Sequence, residues 1–304
     1  MSETFDPTDA CDRRRWRYDS DHPLSVAQLI ARHSVDAATV ALVWLLLDCG
    51  AGLTVAGWEL ELGKTTTLGA LLQLLPAETN IRLTAGMLED FSFTRQAGIR
   101  PGATCVVCNE INDWPPYYMW GEQARRFLAL PAQGYAVATT LHARTLDEVL
   151  CLYQGDLGLQ AAEISRLGIV VNLGLVGGRG RKAEERRWLT THFLRPQEDC
   201  APARDVAVLE LSRWRGAGDA FKGVHSSALA ELARWAGSSL DTFGAALARR
   251  RACLHQLAQG DGADPVVVAT ALRALRIQSS IAHPGANAGH ASAPVIPLEE
   301  RENP

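Results

Sequence analysis

Gly52-Leu53-Thr54-Val55-Ala56-Gly57-Trp58-Glu59-Leu60-Glu61-Leu62-Gly63-Lys64-Thr65-Thr66-Thr67 is the stretch whose reading decides the fold. Its first five residues are an apolar, strand-type run, and Gly57 and Gly63 bound a loop. Gly63-Lys64-Thr65 then leads into an apolar, helix-type segment from Leu68 to Leu75. Strand, glycine-bounded loop, Gly-Lys-Thr and helix is the layout of a phosphate-binding P-loop. In that layout the loop amides and the helix N-terminus surround the phosphates, the lysine holds their outer oxygens, and the threonine hydroxyl binds Mg2+. Gly57, Gly63, Lys64, Thr65 and Thr66 are therefore the candidate cofactor-binding residues, for ATP with Mg2+, and Thr65 is a candidate metal ligand. The loop is off pattern: five residues separate its glycines, one more than the standard form. Two of the five, Glu59 and Glu61, are carboxylates.

The bulk of the chain narrows the class. At 304 residues it can bury a sizeable core as one large and one smaller unit. A formal charge of −4 gives no global reason to expect nucleic acid as a partner. Seven cysteines scattered among apolar runs read as small hydrophobes in a reducing compartment. Cys105 and Cys108 have CxxC spacing, but in a strand an i, i+3 pair points to opposite faces, so the expectation is strand packing. The N-terminus is polar and acidic, without the pattern of a signal peptide. The run from Val40 to Leu47 is too short for a span of ~20 residues. The expected location is the cytoplasm, peripheral to the inner face of the cell membrane.

Along the chain, residues 1–21 read as a flexible arm whose basic cluster Arg13-Arg14-Arg15-Trp16-Arg17 is a solvated tail. Ser25 is placed to cap a helix running through Ile30. A second helix is expected from Asp36 to Cys49, stopped by Gly50. After the P-loop, strands are expected at Ile81 to Thr84, at Cys105 to Cys108 and at Tyr135 to Leu141, with a helix from Tyr117 to Leu130. Short apolar strands alternating with helices give an α/β class: a P-loop NTPase, RecA-like core, its mostly parallel sheet covered on both faces. That motor domain is expected over residues 22–204. Residues 205–280 are expected to hold a last strand, Val206 to Leu211, and a helical portion with helices at Ser227 to Ala236, Ser239 to Gln259 and Pro265 to Arg276. In the middle helix Leu240, Phe243, Leu247 and Leu254 suit one face. Residues 281–304, rich in Pro, Gly, Ala and Ser, read as disordered.

Two further motifs fall at strand ends, where parallel sheets bind ligands. Cys105-Val106-Val107-Cys108-Asn109-Glu110 is an apolar strand ending in a carboxylate. A Glu there polarises water for attack on a terminal phosphate, or holds Mg2+. Gly134-Tyr135-Ala136-Val137-Ala138-Thr139-Thr140-Leu141-His142-Ala143 delivers a histidine to the same edge. Glu110 and His142 are the candidate catalytic residues, and Glu110 is also a candidate metal ligand.

The three motifs in this order resemble the secretion ATPase superfamily of type II and type IV secretion, type IV pili and the archaellum. Gly134 to Ala143 is similar to that family's His box, TGH-x4-TLHA, with Tyr135 in place of its first histidine. Pro23-Leu24-Ser25, Ala41-Leu42-Val43-Trp44-Leu45 and Leu211-Ser212-Arg213-Trp214 look most like archaeal members, and the resemblance covers about residues 23 to 277. It implies a motor ATPase that couples ATP hydrolysis to assembly or export. The implied partners are a homo-hexamer or hetero-oligomer with a related ATPase, and a membrane platform protein. Within it Lys64 and Thr65 would bind phosphates and Mg2+, Glu110 would activate water, and His142 would contact the γ-phosphate.

The departures from that family all run one way. At ~6 Å and an effective dielectric of ~20, a carboxylate facing a phosphate costs on the order of 3 kcal/mol, and a hundredfold loss of affinity needs only about 2.7 kcal/mol. The family's Asp box should fall at Ala85-Gly86, with Glu89-Asp90 the nearest substitute. The arginine that commonly follows the catalytic Glu by two residues is here Asn112. The family's preceding domain, which supplies arginines to the site, has no counterpart in the short N-terminal segment. A second expectation therefore stands beside the first: a catalytically silent paralogue acting as a structural or regulatory partner of an active ATPase. Arg179, Arg181, Lys182, Arg186 and Arg187 follow Gly177-Gly178 and are mixed with Glu184 and Glu185. They read as a hairpin turn with a solvated charged face, not a nucleic-acid surface. Trp114-Pro115-Pro116-Tyr117-Tyr118-Met119-Trp120 is either packed on a neighbouring segment or a partner-docking loop.

Overall fold

The computed structural model describes residues 24–177, 184–195, 206–260 and 265–278; the arm and tail read from the sequence lie outside them. The N-terminal helices begin where the capping residues predict. Ser25 caps α1 (Val26–Ala31) in a reciprocal box, with Gln28 N donating to Ser25 Oγ (3.2 Å) and Ser25 N to Gln28 Oε1 (2.8 Å). Asp36 accepts from Thr39 N at 3.0 Å to start α2 (Ala37–Asp48), and Gly50, at φ 86°, follows its end. α2 is apolar on every side, the mark of a helix with no solvent face. It lies in the core shared with the sheet, and α8 (Leu240–Gln259) packs across both it and α1. Of the leucine face expected on α8, Phe243 and Leu254 are buried and Leu247 packs at the core margin, while Leu240 is exposed.

One eight-stranded sheet runs β2 (Asn80–Leu83), β3 (Thr104–Ile111), β4 (Ala136–Leu141), β1 (Leu53–Ala56), β5 (Ile169–Gly177), β6 (Glu184–Leu194), β7 (Val208–Arg215), β8 (Ala220–Gly223). The first five are mutually parallel and the last three antiparallel. The fold is thus α/β with a mostly parallel, mixed sheet, and Val206 to Leu211 is not its last strand. Chain length explains the antiparallel side. Residues 178–183 and 216–219 are too few for a crossover, which takes a dozen or more, so β5–β6 and β7–β8 must be hairpins. α3 (Lys64–Leu72), α7 (Ser226–Trp235), α8 and α9 (Pro265–Gln278) join one apolar cluster with α1 and α2; α4 (Gly121–Leu128), α5 (Leu146–Cys151) and α6 (Ala161–Ile164) join the other.

Among the boundaries that differ from the sequence reading, two border the cleft; elsewhere the strand expected at Val206 to Leu211 is Val208–Arg215 and the helix expected at Leu68 to Leu75 is Lys64–Leu72. β3 does not stop at Cys108 but runs through Glu110 to Ile111, with an irregularity in its pairing to β4 between those residues. The helix expected from Tyr117 begins only at Gly121. Pro115 to Tyr118 closes a turn, and Met119 exchanges backbone hydrogen bonds with Glu110 and Asn112 at 3.1 Å, so this stretch extends beside β3 instead of coiling. No helix among the described residues is long and apolar enough to cross a membrane.

Cys105 and Cys108 join opposite apolar clusters, as strand alternation requires. Burial pushes both thiols up to about 12, so neither ionises near neutrality. Iodoacetamide at pH 8 should leave both unlabelled in the folded protein while the exposed Cys151 reacts; comparable labelling of all three, read by mass spectrometry, contradicts the strand packing. At the far side of α2, Arg250 Nη2 donates to Asp48 Oδ2 at 2.7 Å, with both side chains about nine-tenths buried. Its guanidinium also lies 5.1 Å from the Trp44 ring centre. Breaking a buried pair from one side costs about 3–5 kcal/mol, so Arg250→Met should lower unfolding free energy in urea by that order; a change below 1 kcal/mol would show that α8 is not tied down through this pair.

Candidate functional site

β4 pairs with β3 on one side and β1 on the other, Ala56 lying opposite Leu141 and Leu141 opposite Ile111. The residues next to those positions, Gly57, His142 and Glu110, therefore reach one edge of the sheet together. His142 Nε2 is 2.7 Å from Glu110 Oε1 and 3.4 Å from Lys64 Nζ, and His142 Nδ1 is 3.1 Å from the Trp58 carbonyl. A carbonyl only accepts, so Nδ1 carries a hydrogen. Nε2 then accepts from Lys64 when the ring is neutral, and donates to Glu110 only when the ring is doubly protonated. In the neutral ring Glu110 Oε1, buried and 2.7 Å from Nε2, has no hydrogen-bond donor among the described residues. Burial pushes the Lys64 ammonium below the ordinary lysine range, against the pull of Glu110 and Glu59. Tyr118 stands beside Glu110, and its hydroxyl is pushed up to about 12 by burial, reinforced by that carboxylate and by Tyr117.

The loop between Gly57 and Gly63 is fastened at two carbonyls. Trp58 O bonds to His142 as above, and Glu61 O accepts from Arg186 Nη2 at 3.0 Å. Glu61 adopts φ 55° and Gly63 φ 94°; for Glu61 that left-handed backbone costs roughly 1–2 kcal/mol. The extra length turns outward. Leu60 is 82 % exposed and Trp58 46 %, the latter under the Arg144 guanidinium at 4.0 Å. Leu62 turns inward and is 2 % exposed. A Cβ on Gly57 would sit 2.4 Å from Leu62 Cδ2 and 3.4 Å from Leu173 Cβ. Gly57 is thus a glycine because Leu62 occupies the space above it, a seat worth about 1.5–3 kcal/mol of apolar burial.

Lys64, Glu110, His142, Tyr118 and Glu61 line a cleft of about 1300 Å³ together with Gly63, Thr65, Thr66 and Asn112, while the candidate Gly57 lies outside the lining. Gly63, the N-cap of α3, offers no side-chain acceptor, so the first-turn amides of α3 open onto the cleft without an intrahelical partner. That helix end, Lys64, Thr65 and the open Glu110 oxygen fit a phosphate-bearing ligand with Mg2+. No group of three or more His, Cys, Asp and Glu among the described residues is arranged to hold a metal ion. Mg2+ would therefore take most of its ligands from phosphate and water, as it usually does. Against anions, the lining carries Glu61, Glu110, Asp113 and Asp156, with Lys64 as its one lysine and no arginine among the described residues.

The expected substitute for the Asp box does not reach the cleft. Glu89 is turned back on its own loop, Oε2 accepting from Ala85 N at 2.9 Å and Oε1 from Phe91 N at 3.0 Å. Asp90 is exposed and caps Ser92 N at 2.8 Å. Asn112 lines the cleft, but its Oδ1 accepts from Trp114 N at 3.3 Å. Of the charged run expected to be a solvated face, Arg179, Arg181 and Lys182 lie outside the described residues; Glu184, Glu185 and Arg186 are exposed, and Arg187 is not. Arg187 is 3 % exposed and is gripped by Asp219 (Nε to Oδ1 3.0 Å, Nη2 to Oδ2 2.8 Å), while Arg186 bonds the loop between Gly57 and Gly63. Arg186 and Tyr118 were visible only as members of a charged run and an aromatic run, and Leu62 and Arg144 were not singled out; the one signal for Arg144 is that it follows His142 by two residues, a same-face spacing in a continuing strand. No protein-family model and no curated protein matches the chain.

If Leu62 fills the space over Gly57, Gly57→Ala should cost about 1–3 kcal/mol by overpacking. Removing the obstruction with Leu62→Ala should then make the double variant more stable than the sum of the two single losses by at least about 1 kcal/mol. Strictly additive losses in urea unfolding would place the Leu62 side chain elsewhere.

Proposed function

We propose that this chain is a nucleotide-binding motor ATPase of the type II/IV secretion and pilus or archaellum assembly family, coupling ATP hydrolysis to assembly or export. The observation that carries the reading is the convergence of Lys64, Glu110 and His142, linked by contacts of 3.4 and 2.7 Å, beside an uncapped helix N-terminus. Lys64 and the amides of Lys64, Thr65 and Thr66 would hold the phosphates; the Thr65 hydroxyl and Glu110 would be the protein's contribution to Mg2+. The bound ion would neutralise charge on the bridging phosphate oxygens. Glu110 would take the proton of an attacking water, and His142, tethered through Nδ1, would donate from Nε2 to the terminal phosphate when the ring is doubly protonated. Among the described residues the lining contains no arginine; the remaining positive charge for phosphoryl transfer would come from a neighbouring subunit in a hexamer or hetero-oligomer. A membrane platform protein would be the mechanical partner, and the cytoplasm the site of action.

A specific observation favours the silent paralogue as the second reading: Leu62 seated over Gly57, with four carboxylates in the lining, opposes entry of a triphosphate. Calorimetry with ATP and Mg2+ on purified protein separates the two. A motor-type site should bind with a Kd on the order of micromolar, about −8 kcal/mol. Lys64→Ala should weaken that at least ~100-fold, and Glu59→Gly with Glu61→Gly should tighten it. Unchanged affinity in Lys64→Ala rules out the P-loop assignment; no binding by the wild type at millimolar ATP, alone and with its partner chains, leaves the silent reading.

A further inference from the structure

The β5–β6 hairpin overhangs the P-loop. β1 ends at Ala56, opposite Asn172, while β5 continues through residues 173–177 and pairs with β6 as far as Glu184. Arg186 sits in this overhang, opposite Leu175, on the same face of the sheet as Trp188, which belongs to the α3 side of the core. Its guanidinium bonds Glu61 O at 3.0 Å across 125 residues of sequence, and its stem passes the loop's end: a Cβ on Gly63 would lie 3.7 Å from Arg186 Cδ.

In a trans peptide the C=O and N–H of one unit point in opposite directions. With Glu61 O turned outward onto Arg186, the N–H of the same unit, that of Leu62, points back into the loop. Left-handed backbone at Glu61 and Gly63 on either side of that amide makes the curvature in which successive N–H groups converge on an anion. The peptide unit held by His142 behaves oppositely. Its carbonyl faces the cleft residue, so the Glu59 N–H faces away from it.

We infer that Arg186 is a positioning residue for anion binding: it fixes the Glu61–Leu62 peptide so that the Leu62 amide joins the first-turn amides of α3 in holding phosphate. It thereby compensates for the extra residue and the missing inner glycine of this loop. The inference rests on the nucleotide reading of the cleft. It differs from a direct contact between guanidinium and phosphate, since Arg186 is bonded to the outer side of the loop and is absent from the cleft lining.

Arg186→Met keeps the apolar stem beside Gly63 and removes the donor; Arg186→Lys restores a donor of similar reach. Two quantities are read on each folded variant: affinity for ATP with Mg2+ by calorimetry, and the fluorescence of Trp58 in the ligand-free protein. The Trp58 signal is isolated by difference from a Trp58→Phe background, because the chain has eight tryptophans. Arg186→Met should weaken binding about tenfold, the loss of one hydrogen bond to a charged group, and should shift the ligand-free Trp58 emission as the loop relaxes. Arg186→Lys should return both toward wild type. Weaker binding in both variants with unshifted ligand-free emission would mean direct phosphate contact and overturn the positioning role. Unchanged affinity in Arg186→Met, alongside a loss in Lys64→Ala, overturns this inference and leaves the nucleotide reading intact. Absence of binding by the wild type and all its variants overturns that reading and this inference with it.

Discussion

The pairing of β4 with both β3 and β1 is the constraint on which the cleft depends. Each of the three strands brings one functional residue to its carboxyl end, and only parallel neighbours put those ends on one edge. Were β4 displaced by one position in the order, His142 would no longer stand between Lys64 and Glu110, and the 3.4 and 2.7 Å contacts would not form. The rest of the fold serves that register. α2 has no polar face because the sheet covers one side of it and α8 the other, and the Arg250–Asp48 pair closes this packing at the end remote from the cleft. Helices that follow the last strand are therefore part of the core that sets the sheet, sharing one apolar cluster with α1, α2 and α3.

What was legible in the sequence was whatever local chemistry dictates. Ser25 and Asp36 have short acceptors that cap helices, Gly50 takes the left-handed backbone that ends one, and the alternation around Cys105 and Cys108 puts two thiols on opposite faces. Lys64, Glu110 and His142 were legible for the same reason, since each follows or ends an apolar run of strand type. The illegible part is set by tertiary contact. Glu89 looked available for the cleft because its charge is visible and its hydrogen bonds to Ala85 and Phe91 are not. Tyr117 to Trp120 has the composition to begin a helix, but the backbone of Met119 finds partners on β3. Arg187 looked solvated, yet Asp219, 32 residues away, holds it in the interior.

The five-residue loop shows how these levels interact. Counted along the chain, the additional residue and the two glutamates argue only against phosphate. In three dimensions the surplus is divided: Trp58 and Leu60 bulge outward, Leu62 folds back over Gly57, and Glu61 takes the strained backbone that a glycine would take at no steric cost. Two side chains from other strands, His142 and Arg186, then bond the carbonyls on either side of the bulge. A loop with poor local chemistry is held in a definite shape by non-local donors. Local strain that persists in a structure implies surroundings that over-determine it, and here those surroundings can be named.

Electrostatics completes the argument and gives it direction. With Lys64 as the one lysine, four carboxylates and no arginine among the described residues of the lining, a phosphate group would meet more repulsion than attraction from the side-chain charge of those residues. Binding would have to draw on dipoles that burial and hydration leave unneutralised: the first-turn amides of α3, and the loop amide that Arg186 aims inward. Preorganised backbone dipoles can stabilise developing charge as well as a static anion, but phosphoryl transfer also draws on a metal ion and on cationic side chains. On the nucleotide reading, turnover at this cleft would need a metal ion and cations beyond Lys64 in addition to those dipoles.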